Sequence, residues 1–303
     1  MQTRVQVGVD GSDHALAAVS YVGGIAVDVP TILVRLVHVM APFGVPLWMH
    51  DARISYEPFG GRLPEDFPER IESWRGDQRK RGKRILEQAR ETLTLMGVPA
   101  KRVEVALEEG ASHRPSRELR AIAQRDGFDT MVVGRRGVSM WREFAFGGTT
   151  EDLLRYPIGR HLWVIEEEPS PSGMRDLLVG IDGSDNGMRA VDYVAATVGA
   201  SALFNVVLAH VPRRRTMEDA QQVLDDAYDR LRNRGFAPER IETRILDPSM
   251  KTADALVKDA RDNDRETIVI GRRGRSTIRE FIFGGVTERL LRYPIGRSVW
   301  VVD

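Results

Sequence analysis

Two glycine-rich segments carry the residues best suited to bind an anion. Gly134 and Gly137 are followed, after nine residues, by Gly147 and Gly148, and the same arrangement starts again at Gly271. Glycine permits positive φ and lets main-chain N–H groups approach a ligand closely. The helix expected after each glycine pair adds the positive end of its dipole. The pattern predicts a phosphate site in each segment, with plain glycine turns as the structural alternative.

Polar residues within these segments suit the same ligand. Arg135 brings positive charge, and Thr149 and Thr150 offer hydroxyl groups to phosphate oxygens or to a helix cap. No Gly-Lys-[Ser/Thr] sequence is present, so this is not a Walker A loop. The matching candidates in the second segment are Arg272, Gly274, Gly284, Gly285, Val286 and Thr287.

An aspartate follows an apolar run near the start of each copy. Asp10 lies in VGVDGSD and Asp182 in VGIDGSD. One interpretation makes each carboxylate part of a binding site at the end of a strand; the other makes it part of a turn before a helix capped by Ser12. His38 and His210 share a position on the next apolar run, where we expect packed, hydrogen-bonded imidazoles.

These features belong to a duplication of the whole chain. Residues 134–165 and 271–302 are identical at 23 of 32 aligned positions. Corresponding residues are 172 apart at the start of the copies, 138 apart at Arg102 and 137 apart at Gly134, so the first copy holds about 34 extra residues between positions 40 and 100. An internal repeat of this size predicts two similar domains.

The boundaries follow from composition. We predict domain 1 over 1–166, a polar, proline-containing linker over 167–173 and domain 2 over 174–303. The extra residues of domain 1 form an insertion over about 42–76, which holds six aromatic residues among five prolines. We expect these aromatics to pack on a neighbouring surface, with an interface favoured over a lid on the site.

Apolar runs and amphipathic stretches alternate along each half. In the first half a helix is predicted over 77–95, and strands are predicted over Val5–Val9, Ile32–Val39, Val103–Leu107, Thr130–Val133 and Leu162–Ile165. Fully apolar strands that alternate with helices predict an α/β fold with a parallel sheet covered on both faces. Ligands of such sheets bind beyond the carboxyl ends of the strands.

Composition narrows the class of protein. The 303 residues include 44 basic and 44 acidic side chains, which argues against a nucleic-acid or membrane-surface binder. Cysteine is absent, which excludes disulfides and thiolate metal sites. Neither a signal peptide nor a membrane-spanning run is recognised, so a cytoplasmic protein is expected.

The runs VGVDGSDHA and VGIDGSDNG, LVHV and LAHV, and the two GRRG-(nine)-GG segments together resemble a tandem universal stress protein. The resemblance implies two Rossmann-like domains, each with five parallel strands in the order 3-2-1-4-5. It also implies that the outer fifth strands pair the halves as an intrachain pseudo-dimer, with a homodimer as a further expectation.

The same resemblance implies an adenine-nucleotide site. It places Asp10 and Asp182 beside the nucleotide, Val39 and Val211 near adenine, and the motif glycines around the phosphates. The family's next position is a hydroxyl residue, which is glycine here at 148 and 285. The implied function is an ATP-binding stress regulator with little or no ATPase activity and with Mg²⁺ as a candidate counter-ion.

Two other function classes compete with this one. The first is an interaction scaffold of the same fold that binds no nucleotide, which the two glycines in place of hydroxyl residues favour. The second is a nucleotidyl transferase, which the absence of a His-x-Gly-His motif disfavours.

Overall fold

The structure is a computed structural model. It describes residues 2–40, 67–110, 115–135, 153, 159–166, 175–213, 216–272, 285–292 and 295–303. The linker and most of the insertion therefore lie outside the described residues.

Strands and helices alternate along the described parts of each half, as the apolar pattern predicts, and most of residues 136–158 lies outside those parts. The first half contains β1 (Thr3–Gly8), α1 (Asp13–Asp28), β2 (Ile32–Met40), α2 (Phe67–Leu95), β3 (Val103–Glu109), α3 (Pro115–Arg125), β4 (Thr130–Gly134) and β5 (His161–Ile165). The second half contains β6 (Arg175–Ile181), α4 (Asp185–Val198), β7 (Phe204–His210), α5 (Met217–Asn233), β8 (Ile241–Ile245), α6 (Thr252–Asp262), β9 (Thr267–Gly271), α7 (Gly285–Arg292) and β10 (Ser298–Val302).

Within the described residues, ten strands form one sheet in the order β3-β2-β1-β4-β5-β10-β9-β6-β7-β8. All neighbours are parallel except β5 and β10, which are antiparallel. The strands are apolar and buried because helices cover both faces. The predicted α/β fold with a parallel sheet is confirmed.

Two apolar cores lie on opposite faces of the sheet. One packs α1, α2, α4 and α5 against it, and the other packs α3, α6 and α7. Where both copies are described, strands and helices of equal rank lie on the same face of the sheet. Among the described helices, none combines the length and the apolar character needed to cross a membrane.

Helix α2 is longer than predicted. It begins at Phe67 rather than at residue 77, so the last ten residues of the proposed insertion are helical. Proline at position 68 is compatible with a helix start, because the first-turn N–H groups have no partner within the helix. The extra turns distinguish α2 from α5, its 17-residue counterpart.

The halves meet where β5 pairs with β10. Trp163 lies opposite Trp300 in the register, and both indoles are fully buried. Their rings stack with centroids 4.0 Å apart and planes 2° apart. This pairing removes two sheet edges that would otherwise expose unpaired main-chain groups.

Hydrogen bonds cross this junction reciprocally. The Tyr21 hydroxyl lies 2.6 Å from Thr267 Oγ1 and accepts from Trp300 Nε1 at 3.0 Å. Tyr193 of the second half mirrors it, 2.6 Å from Thr130 Oγ1 of the first. Burial raises the pKa of both tyrosines above the usual range, so both hydroxyls stay neutral.

His161 breaks this symmetry, since its counterpart is Ser298. Its ring packs on Tyr193 with centroids 4.0 Å apart, and its Nδ1 accepts from the Asp303 main-chain N–H at 3.3 Å. Burial lowers the pKa of His161 to about 4, so the ring is neutral in the folded protein.

Trp300→Ala is expected to lower the free energy of unfolding by about 3–5 kcal/mol, because it removes the stacked ring and leaves a cavity. Urea denaturation measures the change. The control is Leu95→Ala, whose side chain is 89% exposed and whose loss should cost under about 0.5 kcal/mol. Equal stability of the two variants would refute a structural role for the stack.

His161→Ser is expected to flatten the pH dependence of stability between about pH 6.5 and 4. In that window the histidine is protonated in the unfolded state but neutral in the folded state. The free energy of unfolding of the wild type therefore decreases as the pH falls, by about 2–3 kcal/mol in all. Urea unfolding at a series of pH values tests this. A variant that loses stability as steeply as wild type contradicts it.

Candidate functional site

The candidate site lies where the strand order changes direction. From β1 the chain proceeds to β2 on one side, while β4 lies on the other, and β6, β7 and β9 repeat this. Val7 of β1 pairs with Val132 of β4, so Asp10, which follows β1, and Gly134, the last residue of β4, lie at the same edge of the sheet. The carboxyl ends of strands at such a switch point form the ligand crevice of open α/β sheets.

The turn after β1 is held by the Asp10 carboxylate. Its Oδ1 accepts from the Ser12 main-chain N–H at 2.9 Å and from Ser12 Oγ at 2.6 Å. Ser12 Oγ in turn accepts from Ala15 N at 3.2 Å and caps α1. Gly11 has φ +82°, which favours glycine. The structural interpretation of this aspartate therefore accounts for one carboxylate oxygen.

The second half repeats this turn. Asp182 Oδ1 accepts from the Ser184 main-chain N–H at 3.0 Å, and Ser184 Oγ accepts from Gly187 N at 3.1 Å. Gly183 has φ +71°. Each aspartate thus fixes the start of a helix beside the crevice, and its contact with a nucleotide stays a prediction.

Gly134 and Gly271 allow a helix to touch the end of a strand. A Cβ on Gly134 would lie 2.4 Å from the His14 carbonyl oxygen in the first turn of α1. A Cβ on Gly271 would lie 2.5 Å from the Asn186 carbonyl oxygen in α4. These two motif glycines therefore have a packing function, whatever they bind.

The paired histidines are hydrogen-bonded, as predicted. His38 Nδ1 lies 2.7 Å from the Val9 carbonyl oxygen, and His210 Nδ1 lies 2.8 Å from the Ile181 carbonyl oxygen. A carbonyl oxygen only accepts, so both rings carry their proton on Nδ1. Each histidine thereby ties the second strand of its half to the end of the first.

The two adenine-proximal candidates differ in their surroundings. Val39 lies within β2, paired with Glu108 of β3. Val211 follows β7, is 6% exposed, and its carbonyl oxygen accepts from the Arg213 main-chain N–H at 2.9 Å. Both stand at the crevice edge of the sheet.

The side chains of Arg135 and Arg272 lie in the interior, and their predicted role toward the glycine loops stays a prediction, since most of those loops lies outside the described residues. Both are buried, at 1% and 5% exposure. Arg135 pairs with Glu166, Nε to Oε2, at 3.1 Å, and Arg272 NH1 donates to Asp303 Oδ2 at 2.8 Å. Their main-chain N–H groups also donate to strand carbonyls, at Ile165 and Val302. These arginines belong to the interior.

Thr287 is likewise bonded within the protein, and its contact with a phosphate stays a prediction. Its hydroxyl is buried and donates to the Arg272 carbonyl oxygen at 3.2 Å, which joins α7 to the end of β9. Gly285 and Val286, which open α7, remain candidates, and a Cβ on Gly285 would meet nothing within 4 Å. The remaining predicted residues lie outside the described part of the chain: Gly137, Gly147, Gly148, Thr149, Thr150, Gly274 and Gly284.

The described residues hold no cluster of three or more His, Asp or Glu side chains arranged to bind a metal. Any cation at the crevice would depend on ligand oxygens to complete its coordination.

The roles of Glu166 and Asp303 as ion-pair partners of the two arginines were not predicted from the sequence. The two acidic residues end the two copies at matching positions, just as Arg135 and Arg272 match each other. An oppositely charged pair that recurs at the same repeat offset is the signal that predicts such an ion pair. In the sequence it is masked because Glu166 stands in a run of glutamates.

Comparison with known proteins supports the duplication. The model of the universal stress protein family matches residues 1–156 and 174–302. A universal stress protein of Mycobacterium tuberculosis (strain ATCC 25618 / H37Rv) is 30% identical over 137 residues, 40% of this chain and 91% of that protein. One from Synechocystis sp. (strain ATCC 27184 / PCC 6803 / Kazusa) is 25% identical over 224 residues, 70% of this chain and 69% of that protein.

A solved structure extends the likeness of fold to the whole chain. The universal stress protein from Archaeoglobus fulgidus DSM 4304 superposes with a TM-score of 0.68 at 16% identity, covering 99% of this chain and 98% of that chain. The shared arrangement therefore includes both halves.

Gly134→Ala is expected to destabilise the protein by about 1–3 kcal/mol, since its Cβ would meet main-chain atoms of α1 that cannot turn aside. Gly271→Ala should behave alike, whereas Gly285→Ala, with open space around the added methyl, should change stability by under about 0.5 kcal/mol. Chemical denaturation compares the three. A Gly134→Ala protein as stable as Gly285→Ala would show that the close approach is unimportant.

Proposed function

Because the chain belongs to the universal stress protein family, we propose that each half binds an adenine nucleotide, with ATP as the leading candidate. In this proposal the protein regulates a stress response through nucleotide-dependent conformation. Its cytoplasmic location and its assembly into homodimers remain predictions from the sequence.

One observation carries the proposal. In both halves an aspartate turn and the close-approach glycine that starts the glycine segment meet at the strand-order switch point. Asp10 and Gly134 stand there in the first half, and Asp182 and Gly271 in the second. Their duplication supports two sites built alike.

The phosphate end of each site depends on the main chain. Arg135 and Arg272 are committed to the interior, and the Thr287 hydroxyl is bonded to a carbonyl. The family's hydroxyl position is glycine at 148 and 285. Main-chain N–H groups of the glycine segment and the first turn of α7 would therefore hold the anionic tail. Mg²⁺, bound through phosphate oxygens and the aspartates, would balance its charge.

We further propose that the protein binds ATP without turning it over. A hydrolase needs a group that orients the attacking water. Among the described crevice residues, Asp10 Oδ1 is engaged by Ser12, and His38 is bonded to Val9 through Nδ1. This supports a binding protein.

The scaffold without nucleotide is the second candidate. The side chains of Arg135, Arg272 and Thr287 are buried and bonded to groups of the protein itself, which supports this candidate. A chain that had lost its nucleotide could keep the glycines for packing alone, as Gly134 and Gly271 illustrate.

Nucleotide bound to the purified protein, released by denaturation and identified by mass spectrometry, tests the proposal together with ATP titration calorimetry. Two equivalents of ATP are expected. Gly137→Ala and Gly274→Ala should each reduce the stoichiometry to one, while Gly76→Ala, whose Cβ would meet nothing within 4 Å, should leave it at two.

Each alternative result of these experiments would contradict a different part of the proposal. No released nucleotide and no thermal shift with Mg-ATP would establish the scaffold. Full affinity in both glycine variants would show that the sites lie elsewhere. Phosphate release well above the rate without protein would refute the binding-only role.

A further inference from the structure

We propose that Arg135, a residue of the first half, is a positioning residue for the nucleotide site of the second half. The inference rests on the proposed function, because it concerns the first turn of α7 as part of that site. It is carried by contacts that join the two halves, independently of any ligand.

The Arg135 guanidinium forms hydrogen bonds to the carboxyl end of α7. NH1 donates to the Leu291 carbonyl oxygen at 2.8 Å, and NH2 donates to that of Leu290 at 3.3 Å. Carbonyl groups in the last turn of a helix lack partners within the helix. A buried cation there also complements the negative end of the helix dipole.

Glu166, also of the first half, adds contacts to the segment that follows the helix. Its Oε2 lies 3.1 Å from Arg135 Nε and accepts from the main-chain N–H groups of Ile295 and Gly296, at 3.2 and 3.0 Å. The first half therefore fixes both the last turn of α7 and the segment that leads into β10.

The other end of α7 is the proposed phosphate end. The Thr287 hydroxyl ties this end to the Arg272 carbonyl oxygen, and Gly285 before it has open space around it. An eight-residue helix is about 12 Å long and moves as a rod. Releasing its carboxyl end therefore shifts the N–H groups at its start.

Arg135 itself is firmly anchored. Its main-chain N–H donates to the Ile165 carbonyl oxygen at 2.8 Å, within the strand pair β4–β5. The forked guanidinium contacts two carbonyls and one carboxylate at once, which a lysine ammonium cannot match in geometry. Substitution by lysine should therefore restore the positioning only in part.

The test is hydrogen–deuterium exchange of the full chain during titration with Mg-ATP. Protection of residues 178–190, around Asp182, reports the second site, and protection of residues 7–20, around Asp10, reports the first. The variants are Arg135→Gln and Arg135→Lys. The matched control is Arg79→Gln, an exposed arginine paired with Glu109 of its own half at 2.6 Å.

In Arg135→Gln we expect the ATP concentration at half-protection to rise about tenfold for 178–190 and under about threefold for 7–20, since a charge-assisted bond is lost at α7. Arg135→Lys should lie between Gln and wild type, and Arg79→Gln should match wild type. A general loss of structure would instead shift both segments together.

Failure of the proposal and of the proposed function are distinguishable. An unchanged midpoint for 178–190 in a folded Arg135→Gln protein, with ATP still protecting it, overturns the positioning role alone. Wild-type protein that ATP leaves unprotected in 178–190 overturns the second-half site and this inference with it. If Arg135→Gln does not fold, Arg135→Lys against Arg79→Lys decides by the same criterion.

Discussion

Two stacked indoles lie at the centre of the sheet, where the two copies of this duplicated chain join. Around the rings of Trp163 and Trp300, the antiparallel ladder of β5 and β10 satisfies the main-chain groups of both strand edges. The surrounding tyrosines bond to threonines of the opposite half. The two candidate sites therefore stand on one continuous framework, and neither half is surrounded by its own residues alone.

Much of this framework is legible in the sequence, because the chain repeats itself. Alternating apolar runs located the strands to within a residue or two, and the turn of Asp10 and Ser12 followed from local chemistry. The start of α2 at Phe67 was missed, since proline and aromatic residues concealed the periodicity of its first turns. Local patterns identify a helix interior better than its beginning.

The site was predicted less completely than the fold. Arg135 and Thr287 lie close to motif glycines in the sequence. This proximity led to the prediction that they bind the same ligand as the glycines. Their side chains instead meet main-chain carbonyls, in the case of Arg135 across 156 residues. Which way a side chain points at the end of a strand depends on what packs there, and for Arg135 the packing partner is the other copy.

The reciprocal bonding of the tyrosines has a consequence for how the copies can change. Tyr21 meets Thr267, and Tyr193 meets Thr130, so each copy carries both members of the contact. A severed first half would still own a tyrosine, a threonine and an indole in complementary places. Two such fragments carry the residues that form this junction and are expected to pair with each other through the same contacts. In the full chain, a mutation of one of these residues in either copy also changes a contact made by the other copy.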